Sequence, residues 1–138
     1  MIQRLSHCSI FVTDQDLAKE FYVNKLGFEV KTDASMPNGF RWLTVAPKGQ
    51  SDMEIILMKV GASSTMSAED VEAMKRLLKN GALGAGAFHT ADCRKTYEEL
   101  KAKGVKFKSE PKEQFYGIET VMEDPFGNWF SVTQPKGR

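Results

Sequence analysis

An α+β fold of paired βαβββ modules, forming curved mixed sheets around a cavity, is predicted by three observations on the 138-residue chain. Two stretches share one grammar: an apolar strand, an aspartate, an amphipathic helix, a glycine, and then three strand-like runs. Each aspartate stands before a helical apolar spacing and each glycine after one, the usual signs of a helix start and stop. Two copies of one supersecondary unit point to a pseudo-symmetric pair, because solenoids need more copies of closer similarity. Crossover helices cover one face of each sheet, so the other face must enclose a core or a cavity. The chain reads as one domain over 1–138, with a first half of about 1–60, a helical insert of about 61–82 and a second half of about 83–136.

The first strand is expected over residues 5–13. Its alternation places His7, Ser9 and Phe11 on one face and Cys8, Ile10 and Val12 on the other. The second set suits packing on helices, and the first carries the only ionisable group. Asp14 caps a helix of about 16–25 that holds Leu17, Phe21 and Tyr22 at helical spacing, and Gly27 ends it. Strands are expected at 29–34, 40–46 and 53–59, punctuated by Pro37-Asn38-Gly39 and Pro47-Lys48-Gly49. Residues 61–67 form a polar linker. A helix over 68–80 follows, with Val71, Met74, Leu77 and Leu78 on one stripe and Gly81 as its stop. The glycine-rich run 81–86 lacks the Lys-Ser/Thr of a phosphate loop and reads as a flexible joint. The second half repeats the order: a strand over 85–91, Asp92, a helix over 94–103 with Tyr97 and Leu100, Gly104, a short strand over 105–108, and a strand over 116–123. The turn 124–128 and a last strand over 129–134 close it.

Composition narrows the function classes. A hydrophobic share of 41% and a charged share of 27% are those of an ordinary globular chain long enough to build a core without disulfide or metal staples. Net charge is +1 with both signs interspersed, so neither nucleic acid nor a membrane surface is an expected partner. The Lys-rich run 101–108 reads as a solvated helix end and an edge strand. No apolar run approaches the length that spans a bilayer. The first residues carry no secretory apolar core, and Cys8 and Cys93 lie far apart in no CxxC, which reads as two reduced core thiols and a cytoplasmic setting.

The residues also resemble a known family. His7, Val12-Thr13-Asp14, Phe21-Tyr22 and Leu26-Gly27-Phe28 are similar to the opening of vicinal-oxygen-chelate proteins, the glyoxalase/bleomycin-resistance/dioxygenase relatives. Glu123-Asp124-Pro125-Phe126-Gly127-Asn128-Trp129 resembles their closing turn. Glu110-Pro111 and Tyr116-Gly117 resemble a run found in glyoxalase-like members. The resemblance covers nearly the whole chain apart from the insert around 61–82. It implies the paired βαβββ fold, a homodimer and a small-molecule ligand or substrate. Many members hold one divalent metal ion (Zn²⁺, Mn²⁺, Fe²⁺ or Ni²⁺) on the concave face with His and Glu; others have lost the metal and sequester a drug.

Carried over position by position, the resemblance makes His7 the first metal ligand. The second falls at Glu54 by its apolar-Glu-apolar setting, or at Ile55 by an ungapped count from Gly61; a one-residue shift turns the side chain to the opposite face. Gly86 and Ser131 occupy the remaining two ligand positions, and neither side chain is a ligand of that kind. A catalytic site needs about three protein donors and an open position. His7 and Glu54 supply two, and Glu119 is the candidate third. Otherwise His7 is a structural or substrate-polarising residue. Glu119 is the candidate catalytic residue, a general base or ligand acceptor, or else the partner of a surface Lys or Arg. Phe40, Trp42, Phe115, Tyr116 and Trp129, with Ser131 and His7, are candidate ligand-binding residues, the alternative for each aromatic being the core. Met36, Met53, Met58 and Met122 read as gap-fillers or as the lining of an adaptable pocket. His89 is expected to face the helices. Two functions follow: a protein that binds a small molecule in its cavity with a degenerate or absent metal site, or a metal-dependent lyase, isomerase or dioxygenase acting on a small oxygenated substrate.

Overall fold

The computed structural model describes residues 1–137. The chain divides into two compact units, Met1–Lys75 and the stretch from Arg76 onward. The first holds β1 (His7–Val12), α1 (Gln15–Lys19), β2 (Glu29–Ser35), β3 (Arg41–Ala46) and β4 (Glu54–Lys59). The helix α2 (Ala68–Lys79) spans the division. The second unit holds β5 (Gly84–His89), α3 (Cys93–Ala102), β6 (Lys106–Gln114), β7 (Gly117–Glu123) and β8 (Trp129–Pro135). Each unit forms one four-stranded mixed sheet, ordered β1-β4-β3-β2 and β5-β8-β7-β6. In each, the first strand pairs in parallel with the last and the other pairs are antiparallel. This is the expected α+β pair of βαβββ modules.

The helix starts and stops are those the sequence predicts. The Asp14 carboxylate accepts from the Leu17 amide at 2.9 Å, and Asp92 accepts from Lys95 at 3.1 Å, so each fills an orphan donor of its first turn. Past Lys19 the first helix widens into a π-helical segment, Glu20–Lys25, in which Leu26 N–H reaches back to Phe21 C=O. The wider turn lets two neighbouring aromatics point inward together: Phe21 and Tyr22 are both buried and meet edge to face. The core of the first unit lies on that side, with Ile10, Val12, Leu43, Val45 and Leu57 buried. Alternation therefore leaves the His7 face of the sheet turned away from the helix. In the second unit Phe130, Val132, Met122 and Cys93 form the equivalent buried layer. Burial pushes the Cys93 thiol up, which agrees with a reduced core residue.

The expected extents of the second half's strands need correction at three places. The second-half strand expected to stop at residue 108 continues through Pro111 to Gln114 as β6. β6 is an edge strand, and Pro111 lies where the register with β7 shifts between Ser109 and Lys112, so no ladder donor is lost. Tyr116 then belongs to the hairpin turn, not to β7. Gly84–Gly86 is part of a strand rather than a flexible joint: a Cβ on Gly84 would stand 2.6 Å from the Trp129 ring, so the indole lies over bare backbone there.

On the helix side of the first unit, Arg41 grips Asp33 through Nε at 2.8 Å and Nη2 at 2.9 Å, while Lys19 meets the same carboxylate at 2.9 Å. Arg41 also bonds Asp16 at 2.6 Å. The Arg41 bonds, then Lys19, hold the Asp33 carboxyl well below the usual carboxylate range. A depressed folded-state value contributes stability above the unfolded value that is lost as pH falls through the folded one. Asp33→Asn is therefore expected to cost about 1 kcal/mol at pH 7, because the pair is bidentate but near the surface. Urea denaturation should show the gap to wild type shrinking steadily below about pH 4, the ordinary carboxylate value; a gap independent of pH would contradict the assignment.

Candidate small-molecule site

The parallel register of β1 and β4 pairs His7 with Glu54 and Ser9 with Ile56. Glu54, not Ile55, is thus the residue beside His7, with 3.7 Å between His7 Nε2 and Glu54 Oε1. Thr44 on β3 donates its hydroxyl to the same oxygen at 2.7 Å. His7 Nδ1 lies 2.9 Å from the Ser6 hydroxyl. The Trp42 ring stands 5.9 Å from the imidazole and 6.4 Å from Phe40. His7 and Glu54 are each about one-third exposed, so the group stands on an accessible face.

Further along that face lies a cavity of about 600 Å³. Its floor is Ser9, Phe11 and Met58, its aromatic wall is Phe40, and the linker 61–66 lines the far side, ending at Met66. The linker is anchored where Ser67 and Asp70 cap each other's amides at 3.2 and 3.0 Å, opening α2. Of the ligand-binding residues predicted from sequence, only Phe40 lines this cavity; His7 and Trp42 stand in the adjoining part of the face. Of the methionines, Met58 lines it and Met122 is buried in the other unit's core, while Met36 is exposed.

In the second unit, Glu119 on β7 accepts from the hydroxyls of Ser131 and Tyr116. Ser131 Oγ also lies 2.9 Å from Thr133 Oγ1. The carboxylate beside Tyr116 pushes its phenol up. Glu119 is thus held by two hydroxyls, one on each carboxylate oxygen. Trp129, Ser131 and Thr133 alternate onto the same face of β8. Phe115, at the β6–β7 hairpin tip, is 88% exposed and meets Tyr116 edge to face.

The two units exchange acid and hydroxyl. Thr44 is opposite Ile56, two residues beyond Glu54 on β4; Glu119 is opposite Thr133, two residues beyond Ser131 on β8. Ser131 therefore occupies the Glu54 position and Glu119 the Thr44 position. Opposite Ser131 on β5 stands Ala87, in the place of His7. The hydrogen bond survives, with its donor and acceptor strands reversed.

That exchange decides the metal question on donor chemistry. The first unit offers one imidazole and one carboxylate whose Oε1 already accepts from Thr44. Both Glu119 oxygens accept from hydroxyls, and the equivalent positions carry alanine and serine. Among the described residues no three His, Cys, Asp or Glu side chains gather to hold a metal ion. The donors do not fit a catalytic centre, which needs about three with an open position.

His89 departs from expectation. It is exposed and lies on the Ser131 face, because Phe88 stacks on buried Phe130 at 4.9 Å and takes the helix side. Sequence reasoning also missed Thr44, although alternation from Trp42 would have found it.

Residues 4–132 match the model of the Glyoxalase/Bleomycin resistance protein/Dioxygenase superfamily. The chain is 39% identical over 127 residues to YurT of Bacillus subtilis (strain 168), covering 91% of this chain and 94% of that one. Among solved structures it is similar to UcmS2, with a TM-score of 0.90, 44% identity, and coverage of 96% and 98% of the two chains. It is also similar to TnmS3, an antibiotic binding protein from Streptomyces sp. CB03234, with a TM-score of 0.74, 31% identity and 98% coverage of each chain.

Proposed function

This chain belongs to the Glyoxalase/Bleomycin resistance protein/Dioxygenase superfamily, and from that premise we propose that it binds and sequesters a flat, largely apolar small molecule without using a metal ion. The cavity of about 600 Å³ beside Phe40 carries this reading. Its volume falls in the roughly 300–1,000 Å³ range of small-molecule pockets, and its mixture of aromatic, Met and hydroxyl groups is their usual chemistry. Met58 and Met66 give it walls that adapt in shape. In this role Phe40 and Trp42 stack on the ligand and His7 supplies a polar contact. Glu54 and Thr44 hold the imidazole's surroundings in one arrangement. On the second sheet, Trp129, Tyr116, Ser131 and Glu119 form a separate polar and aromatic face that is a ligand-binding candidate in its own right, with Phe115 at its hairpin tip. The description of TnmS3 as an antibiotic binding protein supports the same class of ligand. A homodimer in the cytoplasm is part of the proposal; no helix among the described residues is long and apolar enough to cross a membrane.

The reading as a metal-dependent lyase, isomerase or dioxygenase would start from the His7–Glu54 pair. It lacks a third donor, so we assign Glu119 to ligand contact and derive no metal-dependent step. Titrating chelator-stripped protein with flat arenes, followed by Trp42 emission in a Trp129→Phe background, tests the binding reading. A saturable change supports it, and a flat response across the set would count against it.

A further inference from the structure

We propose that the second sheet's own face takes a flat ring molecule bearing hydrogen-bonding groups on two opposed edges, and that His89 contacts it. The inference rests on the small-molecule reading above. Register supplies the placement. β5 slips between Gly84 and Gly86, and Phe88 stacks on Phe130 on the helix side, so Ala87 and His89 face away from the helix. His89 pairs with Thr133, and Thr133 pairs with Glu119. Imidazole, hydroxyl and carboxylate thus form one row over three adjacent strands, with about 10 Å between the outer backbones at ~4.8 Å per strand.

The side chains in and beside that row differ in height. Ala87, Ser131 and Thr133 are small and make a floor. His89 stands at one side, Glu119 with Tyr116 at the other, and the Trp129 indole over Gly84 closes one end. A histidine that is merely solvated has no need of a small-residue floor or of a facing acid. The polarity is also arranged. Glu119 is fixed in place as an acceptor by Ser131 and Tyr116. The imidazole across the floor can donate or accept by choice of tautomer. A ring lying on Ser131 and Thr133 would therefore meet an acceptor on one edge and an adaptable partner on the other.

The chain contains two histidines, so imidazole ¹⁵N resonances are assigned with one His7→Ala variant. The probes are p,p′-biphenol, with hydroxyls at both ends, and p-phenylphenol, with one. The first should shift the His89 ring and bind about tenfold tighter than the second, the worth of one good hydrogen bond. His89→Ala should remove most of that tenfold, and His89→Gln should restore part of it. Ala87→Phe should block both probes by filling the floor. Residues 87 and 89 are exposed, so folding is expected to survive, as checked by circular dichroism. If an indole resonance moves while the His89 ring does not, or if His89→Ala leaves the discrimination intact, the assignment of His89 falls and the binding reading stands. If neither indole nor imidazole responds to either probe, both fall.

Discussion

Asp124→Ala is expected to cost the protein about 3–4 kcal/mol, a large share of a domain's stability. Asp124 is 5% exposed in the turn between β7 and β8. Its Oδ1 accepts from the amides of Phe126, Gly127 and Asn128 at 2.9, 3.0 and 2.9 Å, and its Oδ2 accepts from Asn128 Nδ2 at 2.8 Å. Alanine would leave those donors facing protein, at roughly 1–3 kcal/mol for each that water cannot reach. The turn has no room to relax. Gly127 sits at φ +106°, and a Cβ there would lie 1.8 Å from the Leu78 carbonyl oxygen at the end of α2. Guanidinium denaturation measures the loss, and Asp124→Asn, which keeps one acceptor oxygen, should fall in between. A cost below about 1 kcal/mol would mean that solvent satisfies the amides and that the carboxylate does not hold the turn.

Ser9→Phe should abolish ligand binding with little effect on folding. Ser9 is exposed on the His7 face and forms part of the cavity floor. A benzyl side chain at that point enters the space beside Phe11, Phe40 and Met58 without disturbing the buried layer of Ile10 and Val12. An affinity loss of about a hundredfold or more is expected, since the ligand forfeits both volume and ring contacts. The urea midpoint should move by no more than the few tenths of a kcal/mol usual at an exposed position. Unchanged affinity in a folded Ser9→Phe protein would place the ligand elsewhere.

Much of this architecture was legible in the sequence because it is written in local chemistry. Asp14 and Asp92 cap, Gly27 and Gly104 stop, and the alternation of β1 separates His7 from Ile10. What the sequence hid depends on register, which is a property of pairs of strands. The apolar-Glu-apolar setting selects Glu54 and the count from Gly61 selects Ile55, and only the pairing of His7 with Glu54 decides between them. His89 was assigned to the wrong face because the count put Gly86 at the position equivalent to His7, whereas the pairing of Ala87 with Ser131 puts Ala87 there and turns His89 to the same side. β6 was expected to stop at residue 108, yet it runs on past Pro111, which an edge strand tolerates at a register shift. The exchange of acid and hydroxyl between Glu54–Thr44 and Ser131–Glu119 was half visible. Serine in place of the expected carboxylate could be read from the chain, but its partnership with Glu119 could not.

The central claim is that binding needs the cavity and no metal. The most direct measurement is calorimetric titration of a flat arene ligand into chelator-stripped protein, repeated after adding Zn²⁺, Mn²⁺, Fe²⁺ or Ni²⁺ and with His7→Ala and Glu54→Ala beside wild type. The account predicts the same affinity and stoichiometry with and without each metal, and no stoichiometric metal uptake. Binding that appears only with metal and is lost in both variants would contradict it, and would return His7 and Glu54 to the role of ligands.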